Sequence, residues 1–272
     1  QKTANEISLG LVWSEMCIRD RPPSDYYKLE VEKVKIIGFP RIIWTCRNFT
    51  YDGTNLDWKK DDINGTGAIS EVTTLASAYF EDWADGKKKA LYIKTDPNTP
   101  TTGNETHAYK NFPHLFIKKL GFSCFVYLAT ANIDSIFQEM RVYTGTYYKR
   151  AAIKISGNKV YVYDNTGTAK ELGTLSASIA QYDILHLKMV IDVVEEKYHA
   201  IFVSDKFWEE REIYKTIKPN VGFERNSSSK FPLFLINVGV RTGADAVAGI
   251  EMTNPVLTDE TDVIYKKEGV SL

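Results

Sequence analysis

Cysteine is scarce. The 272 residues carry three, Cys17, Cys46 and Cys124, with no CxxC pair and no Cys/His cluster, so a finger- or ribbon-type zinc site is excluded. No run of about 18 apolar residues occurs, and the chain offers no membrane span. The apolar piece Ile7–Trp13 is short and lacks the basic flank of a signal peptide. No phosphate loop, GxGxxG, GxSxG or HExxH is present. Excess charge of one sign is missing too: Lys and Arg number 34 against 35 Asp and Glu. That balance gives no general attraction to nucleic acid or to an anionic membrane. Internal repeats and heptads are absent, and no helical periodicity lasts beyond three turns.

What the chain does have is strands. Hydrophobic residues make up 43% and aromatics 12%, with 16 Tyr and 5 Trp. That much Tyr suits pleated strands and surfaces that bind sugars or proteins. The stretch Ala151–Val203 is the clearest. Ala151–Ile155 and Lys159–Tyr163 alternate about a Ser156–Asn158 turn, Asp164–Gly167 turns again, and Leu185–Asp192 and Lys197–Val203 form a hairpin across Val193–Glu196. With 192 opposite 197, Leu187, Met189 and Ile191 share a core face with Tyr198, Ala200 and Phe202. His186, Lys188 and Val190 then share the other face with His199, Ile201 and Val203.

The same reading gives strands over Tyr26–Ile37, Arg41–Arg47, Ala90–Thr95, Phe112–Ile117, Gly121–Thr130, Ser135–Tyr143, Phe231–Arg241 and Gly249–Thr258, with Gly121–Thr130 central because it is almost wholly apolar. Asn48–Ser70, Asp96–Glu105 and Asn226–Lys230 read as loops, Ser204–Lys218 as an irregular or partly helical excursion, and Asp259–Leu272 as a polar tail. Short strands at this spacing with Gly/Asn/Asp turns argue an all-β antiparallel two-sheet sandwich or a barrel.

Several segments resemble the concanavalin A-like (LamG-type) jelly rolls, the superfamily of lectins and glucanases. Phe49–Trp58 resembles the aromatic and acidic-Gly turn before a Leu-x-Trp, and Lys89–Ile93 the strand that follows. Tyr182–Asp192 resembles the Tyr-Asp-x-Trp-His-x-Leu-Lys strand, Lys197–Asp205 its successor, and Ala248–Val256 the closing strand. Leu185 stands where that family has Trp, Thr253 where it has Asp, and Lys206 where it has Gly; the last two bear on a family-type calcium or ligand site. The resemblance implies a concanavalin-like jelly roll over residues 48–258, preceded by an extension at 22–47 and followed by a tail at 259–272. A second resemblance concerns Glu15–Arg21, which is similar to the in-frame translation of a transposase adapter used in metagenomic sequencing; residues 1–21 are accordingly read as a non-native or disordered leader.

Chemistry-bearing candidates are few. The E-x-D-x-E run that places carboxylates on one strand face in the catalytic members of the superfold is missing. Glycan binding calls for aromatics with polar neighbours, and Tyr147, Tyr148, Tyr161, Tyr163 and Trp208 are the candidates, with His186 and His199 beside them; packing of each within the sheets is the alternative. Tyr161 and Tyr163 lie opposite Val160 and Val162, so one of these pairs faces outward. For metal, Asp52 and Asp57 with Asp61, Asp62 and Asn64, and Asp96 with Asn98 and Asn104, form oxygen-rich loops that suit a structural calcium or plain turn chemistry. Cys46 and Cys124 suit a disulfide or two buried thiols. Asn48, Asn64, Asn104 and Asn226 open glycosylation triplets, relevant on export. The function expected is a non-catalytic β-sandwich outside the cell, at the cell surface or on a virion, binding glycans or a protein surface. The alternatives are a homo-oligomeric structural subunit assembled by addition of the N-terminal strand, and a polysaccharide-active hydrolase or lyase.

Overall fold

A computed structural model describes residues 34–37, 40–45, 58–72, 90–175, 177–204, 213–217 and 222–267. The described residues hold eighteen strands and no helix. In chain order they are β1 (Val34–Ile37), β2 (Arg41–Thr45), β3 (Lys59–Ile63), β4 (Ala68–Val72), β5 (Ala90–Lys94), β6 (Glu105–Pro113), β7 (Lys119–Leu128), β8 (Ile133–Tyr143), β9 (Tyr147–Ser156), β10 (Lys159–Tyr163), β11 (Ala169–Thr174), β12 (Ile184–Asp192), β13 (Lys197–Ser204), β14 (Ile213–Ile217), β15 (Glu224–Ser227), β16 (Leu233–Thr242), β17 (Gly249–Asp259) and β18 (Ile264–Lys267). They form two antiparallel sheets of eight strands and a separate β1–β18 ribbon.

The front sheet runs β11-β10-β9-β8-β16-β6-β3, with β15 beside the first half of β9; the back sheet runs β14-β13-β12-β7-β17-β5-β4, with β2 beside the second half of β17. β7 is central, as its apolar run requires. Local meanders (β8 to β11, β12 to β14) flank strands brought together from far apart in sequence: β6 pairs with β16 and β7 with β17. The core lies between the sheets. Ile136, Met140, Ile153, Val160, Ile236 and Val238 of the front sheet meet Leu120, Phe122, Val126, Leu187, Met189 and Ile250 of the back sheet. Each such burial stabilises by about 1.5–3 kcal/mol.

Several expectations change. Asn48–Ser70 is not all loop, since β3 and β4 occupy its second half; Asp61 and Asp62 pair with His107 and Thr106. The strand expected at Phe112–Ile117 ends at Pro113 and begins at Glu105, in register with β16. β14, β15 and β18 form where excursion, loop and tail were expected, and β11 follows the expected turn where no element was assigned; each gains its ladder from a neighbouring strand rather than from its own apolar pattern.

The β12–β13 hairpin departs from simple alternation. Asp192 pairs with Lys197 and Ile191 with Tyr198, but Val190 pairs with Ala200, so His199 is the extra residue of a bulge. The slip puts Ile201 and Val203 into the core with Tyr198, and sends Ala200 and Phe202 outward beside Val190. A second bulge sits at Asn254-Pro255 in β17, with Asn254 at φ 45°. Proline has no N–H for the ladder and asparagine tolerates the left-handed region, so both residues fit a bulge. Above it β17 pairs with β5, below it with β2.

A candidate glycan-binding face on the front sheet

Alternation on the front strands sends one set of side chains to the core and a polar set outward. Register places the outward set in rows: Tyr109, Asn237 and Glu139 in one, Leu235, Arg141, Arg150 and Glu224 in the next, and Tyr143, Tyr148 and Asn226 beyond. Tyr161 and Tyr163 point outward from β10, as the buried Val160 and Val162 require.

Glu139 is the hub of this face and is 0% exposed. Its Oε2 accepts from Arg141 Nε at 3.0 Å and Nη2 at 2.7 Å, and from Asn237 Nδ2 at 3.2 Å. Its Oε1 accepts from Arg150 Nε at 2.8 Å and from Arg150 Nη2. Arg150 Nη1 reaches Glu224 at 3.0 Å, and Glu224 accepts from Asn226 at 2.6 Å. Burial alone would raise the Glu139 carboxyl; the Arg150 and Arg141 guanidiniums outweigh it and hold the group down at about 2. On the other flank, Asn237 Oδ1 meets His107 Nδ1 at 3.1 Å, and His107 Nε2 meets Glu105. Arg241 Nε donates to Glu105 at 2.8 Å. Burial would raise Glu105 as well, yet the bond to His107 and the His107 and Arg241 charges lower it. Gly239 makes room for this chain: a Cβ there would lie 2.3 Å from His107 Nδ1.

Aromatic rings cover the cations. Arg150 lies 4.5 Å from the Tyr163 ring centroid, Arg141 5.6 Å from Tyr148, and Lys154 5.9 Å from Tyr161. Tyr143 and Tyr148 rings are 5.1 Å apart. A depression on this face is lined by Asp61, Tyr109, Arg141, Tyr143, Lys230, Leu235 and Asn237. At the end of the face where Pro113 pairs with Leu233, Phe116 and Phe231 stand 94% and 87% exposed.

β9 forks beneath the face. Its second half pairs with β10, its first half with β15. At the fork the Tyr198 hydroxyl, reaching across from the back sheet, accepts from Ala152 N at 2.8 Å and donates to Tyr163 O at 2.8 Å. This one phenol, whose pKa burial pushes up, satisfies backbone groups the diverging strands leave unpaired.

The sequence candidates therefore divide. Tyr148, Tyr161 and Tyr163 come together on the front face. Tyr147 points to the other side of β9, against Arg225 at 4.5 Å. His186 lies on the outer face of the back sheet, stacked on Phe125 with centroids 4.6 Å apart, and His199 is the bulge residue on that sheet. Trp208, Asp52, Asp57, Cys46 and the leader 1–21 lie outside the described residues. Asp96 organises a loop: its carboxylate accepts from the amides of Thr66, Asn98 and Thr99 and from the Thr99 hydroxyl, which lower its pKa. Among the described residues no three His, Cys, Asp or Glu converge as a metal would need. Cys124 is a buried thiol in the core, 3.7 Å from Gln138 Nε2. Asn104 is buried and bonded to Thr99 and Thr101.

Sequence reasoning missed Glu139, Arg141, Arg150, Asn237, Glu105, His107 and Arg241. A signal existed: Glu139, Arg141 and Tyr143 alternate along a recognised strand, as do Glu105, His107 and Tyr109.

No protein-family model matches the chain, and no curated protein matches it by sequence. Solved structures do. The PL-14 alginate lyase of the marine Aplysia kurodai aligns with TM-score 0.50 and 10% identity over 79% of this chain and 98% of that one. Lectin II from Ulex europaeus gives TM-score 0.47 and 7% identity over 79% and 97%, and the CBM2 module of the evolved Dit of Lactobacillus casei BL23 phage J-1 gives 0.43 and 11% over 84% and 97%. The fold is a concanavalin A-like jelly roll. At these identities the jelly-roll likeness shows the fold alone. No helix among the described residues is long and apolar enough to cross a membrane.

Proposed function

We propose that this jelly roll is a non-catalytic glycan-binding module and that the outer face of its front sheet is the binding surface. The carrying observation is the pairing of half-exposed tyrosines, Tyr148, Tyr161 and Tyr163, with hydrogen-bonding groups already fixed by the Glu139 network. Rings of this kind stack on the apolar face of a pyranose, while Asn237, Tyr109 and the guanidiniums meet its hydroxyls. Residues two apart on a strand are about 7 Å apart, so Tyr161, Tyr163 and Tyr148 span several sugar units. The site thus suits an extended chain better than a single sugar. Hydrolysis fits less well: a glycosidase needs a carboxyl that keeps its proton, and Glu139 and Glu105 are both held ionised. The same reading has the chain working where glycans are displayed, outside the cell, at its surface or on a virion. A glycan array followed by affinity electrophoresis tests it. Tyr148→Ala and Tyr163→Ala should each weaken binding roughly tenfold; unchanged affinity in both sinks the assignment of the face.

A second reading has one observation in its favour. β2 pairs with β17 and carries Ile42 and Ile43, 52% and 36% exposed. Such an edge suits strand addition by another copy of the chain. Light scattering of the wild type against Ile43→Lys tests it: a wild-type oligomer that the charge dissolves supports it, and a wild-type monomer rules it out.

A further inference from the structure

The glycan reading leaves open which sugars the face takes, and the depression between β3 and the β15–β16 loop bears on that choice. Two cations enter it from different elements. Arg141 gives Nε and Nη2 to Glu139, and among the described residues no carboxylate takes its Nη1; the Tyr143 phenol neighbours the guanidinium. Lys230, exposed in the loop before β16, sits 5.3 Å from the Tyr143 ring centroid, and among the described residues no carboxylate lies within ion-pair distance of it. Glu139 pairs with both Arg141 and Arg150, and Arg150 has Glu224 as well, so Lys230 is the cation here with no carboxylate beside it among the described residues. The one carboxylate lining the depression is Asp61 on β3, three strand spacings across the sheet from β8 and, in the row of His107, Gly239 and Phe137, four residues along from Arg141, so about 19 Å separates the two backbone positions. The floor between them is Leu235 and Asn237. A polysaccharide chain crossing the depression meets cationic donors at one end and a hydroxyl acceptor at the other.

Resting on the glycan-binding reading, we infer that the ligand is an acidic polysaccharide, one sugar of which seats its anionic group between Arg141 and Lys230 while the chain beyond it turns a hydroxyl to Asp61. A guanidinium edge and an ammonium held over an aromatic ring are donors for a carboxylate or a sulfate; a neutral sugar at the same place would leave the Lys230 ammonium partly desolvated without a counter-charge. The shared chemistry is an anionic sugar, whose charge comes from a uronate or from a sulfate ester.

Affinity electrophoresis and calorimetry of the whole chain against a polyuronate, a sulfated polysaccharide and a neutral β-glucan decide the matter. Binding to one or both acidic polymers at least about tenfold tighter than to the neutral one is expected, weakening with added salt. Which acidic polymer binds tells uronate from sulfate. Lys230→Gln should lower affinity for the acidic polymer about 3- to 10-fold. Because Lys230 is exposed, the variant should fold as the wild type does, and circular dichroism checks it. A preference for the neutral polymer, or equal affinity for all three with Lys230→Gln silent, overturns the acidic assignment while leaving the glycan-binding face intact. Absence of binding to any glycan overturns both.

Discussion

The outer faces of the two sheets are made by the same alternation of side chains, yet they hold different things. The front face carries Glu139, Arg141, Arg150, Asn237 and His107 in one bonded network under half-exposed tyrosines. The back face carries Phe125, Tyr127, Val190 and Ala200, all buried, with Val263 lying over the last two after the chain turns back at Glu260. Its main ion pair, Lys188–Glu260 at 2.8 Å, ties that returning segment down, and Gly121 leaves the space for it, since a Cβ there would lie 2.6 Å from Glu260 Oε1. The back face is thus a second packing surface. The front face differs in gathering its charges into one connected network; buried charges cost several kcal/mol of desolvation each, and an apolar replacement often serves stability as well or better. This connected network is the surface on which the glycan-binding proposal rests.

Variants separate the two faces, and the largest effect should come from Glu139→Ala. It leaves the mostly buried Arg141 without its carboxylate and Arg150 with Glu224 alone, and should cost about 3–5 kcal/mol in urea unfolding. Phe125→Ala on the back face should cost about 3 kcal/mol from lost packing and leave glycan affinity of the folded protein unchanged. A back-face variant that lost binding would end the division of labour between the sheets.

Acid should weaken the front face. The folded Glu139 carboxyl titrates at about 2, below its ordinary 4.5, so its contribution is complete above pH 4.5 and is lost as pH falls toward 2. The loss amounts to about 3 kcal/mol. Unfolding curves from pH 5 to pH 2 should show it in the wild type and in Phe125→Ala, and much less of it in Glu139→Gln. A smaller effect is expected at the fork of β9. Tyr198→Phe removes the hydroxyl that bonds Ala152 and Tyr163 and should cost about 1–2 kcal/mol. It should also loosen Tyr163, so affinity should fall modestly although Tyr198 is buried far from solvent; a Tyr198→Phe protein with full stability would remove the fork from the account.

Much of the fold was legible. Val160 and Val162 in, Tyr161 and Tyr163 out, follows from period-two alternation alone, and the apolar run in β7 marked the sheet centre. The site was legible only in part, for physical reasons. Glu105, His107 and Tyr109 alternate, but the polar residues that precede them made the region read as loop, and the ladder to β16, more than a hundred residues away, decides otherwise. The slip at His199 is set by cross-strand pairing, which no local pattern encodes, and so Ala200 and Phe202 exchanged faces with Ile201 and Val203. Glu139 and Arg141 lay on a strand the sequence marked, but an Arg–Glu alternation is common on solvated faces; only β9 and β16 beside it make it a hub.

Hydroxyl-radical footprinting of tyrosines with and without saturating acidic polysaccharide tests the central claim most directly. Tyr148, Tyr161 and Tyr163 report on the front face, while Tyr182, 64% exposed beside Tyr127 of the back sheet, is the internal control. Ligand should protect the three front tyrosines and leave Tyr182 unchanged. Protection of Tyr182 with the front tyrosines unaltered would contradict the claim.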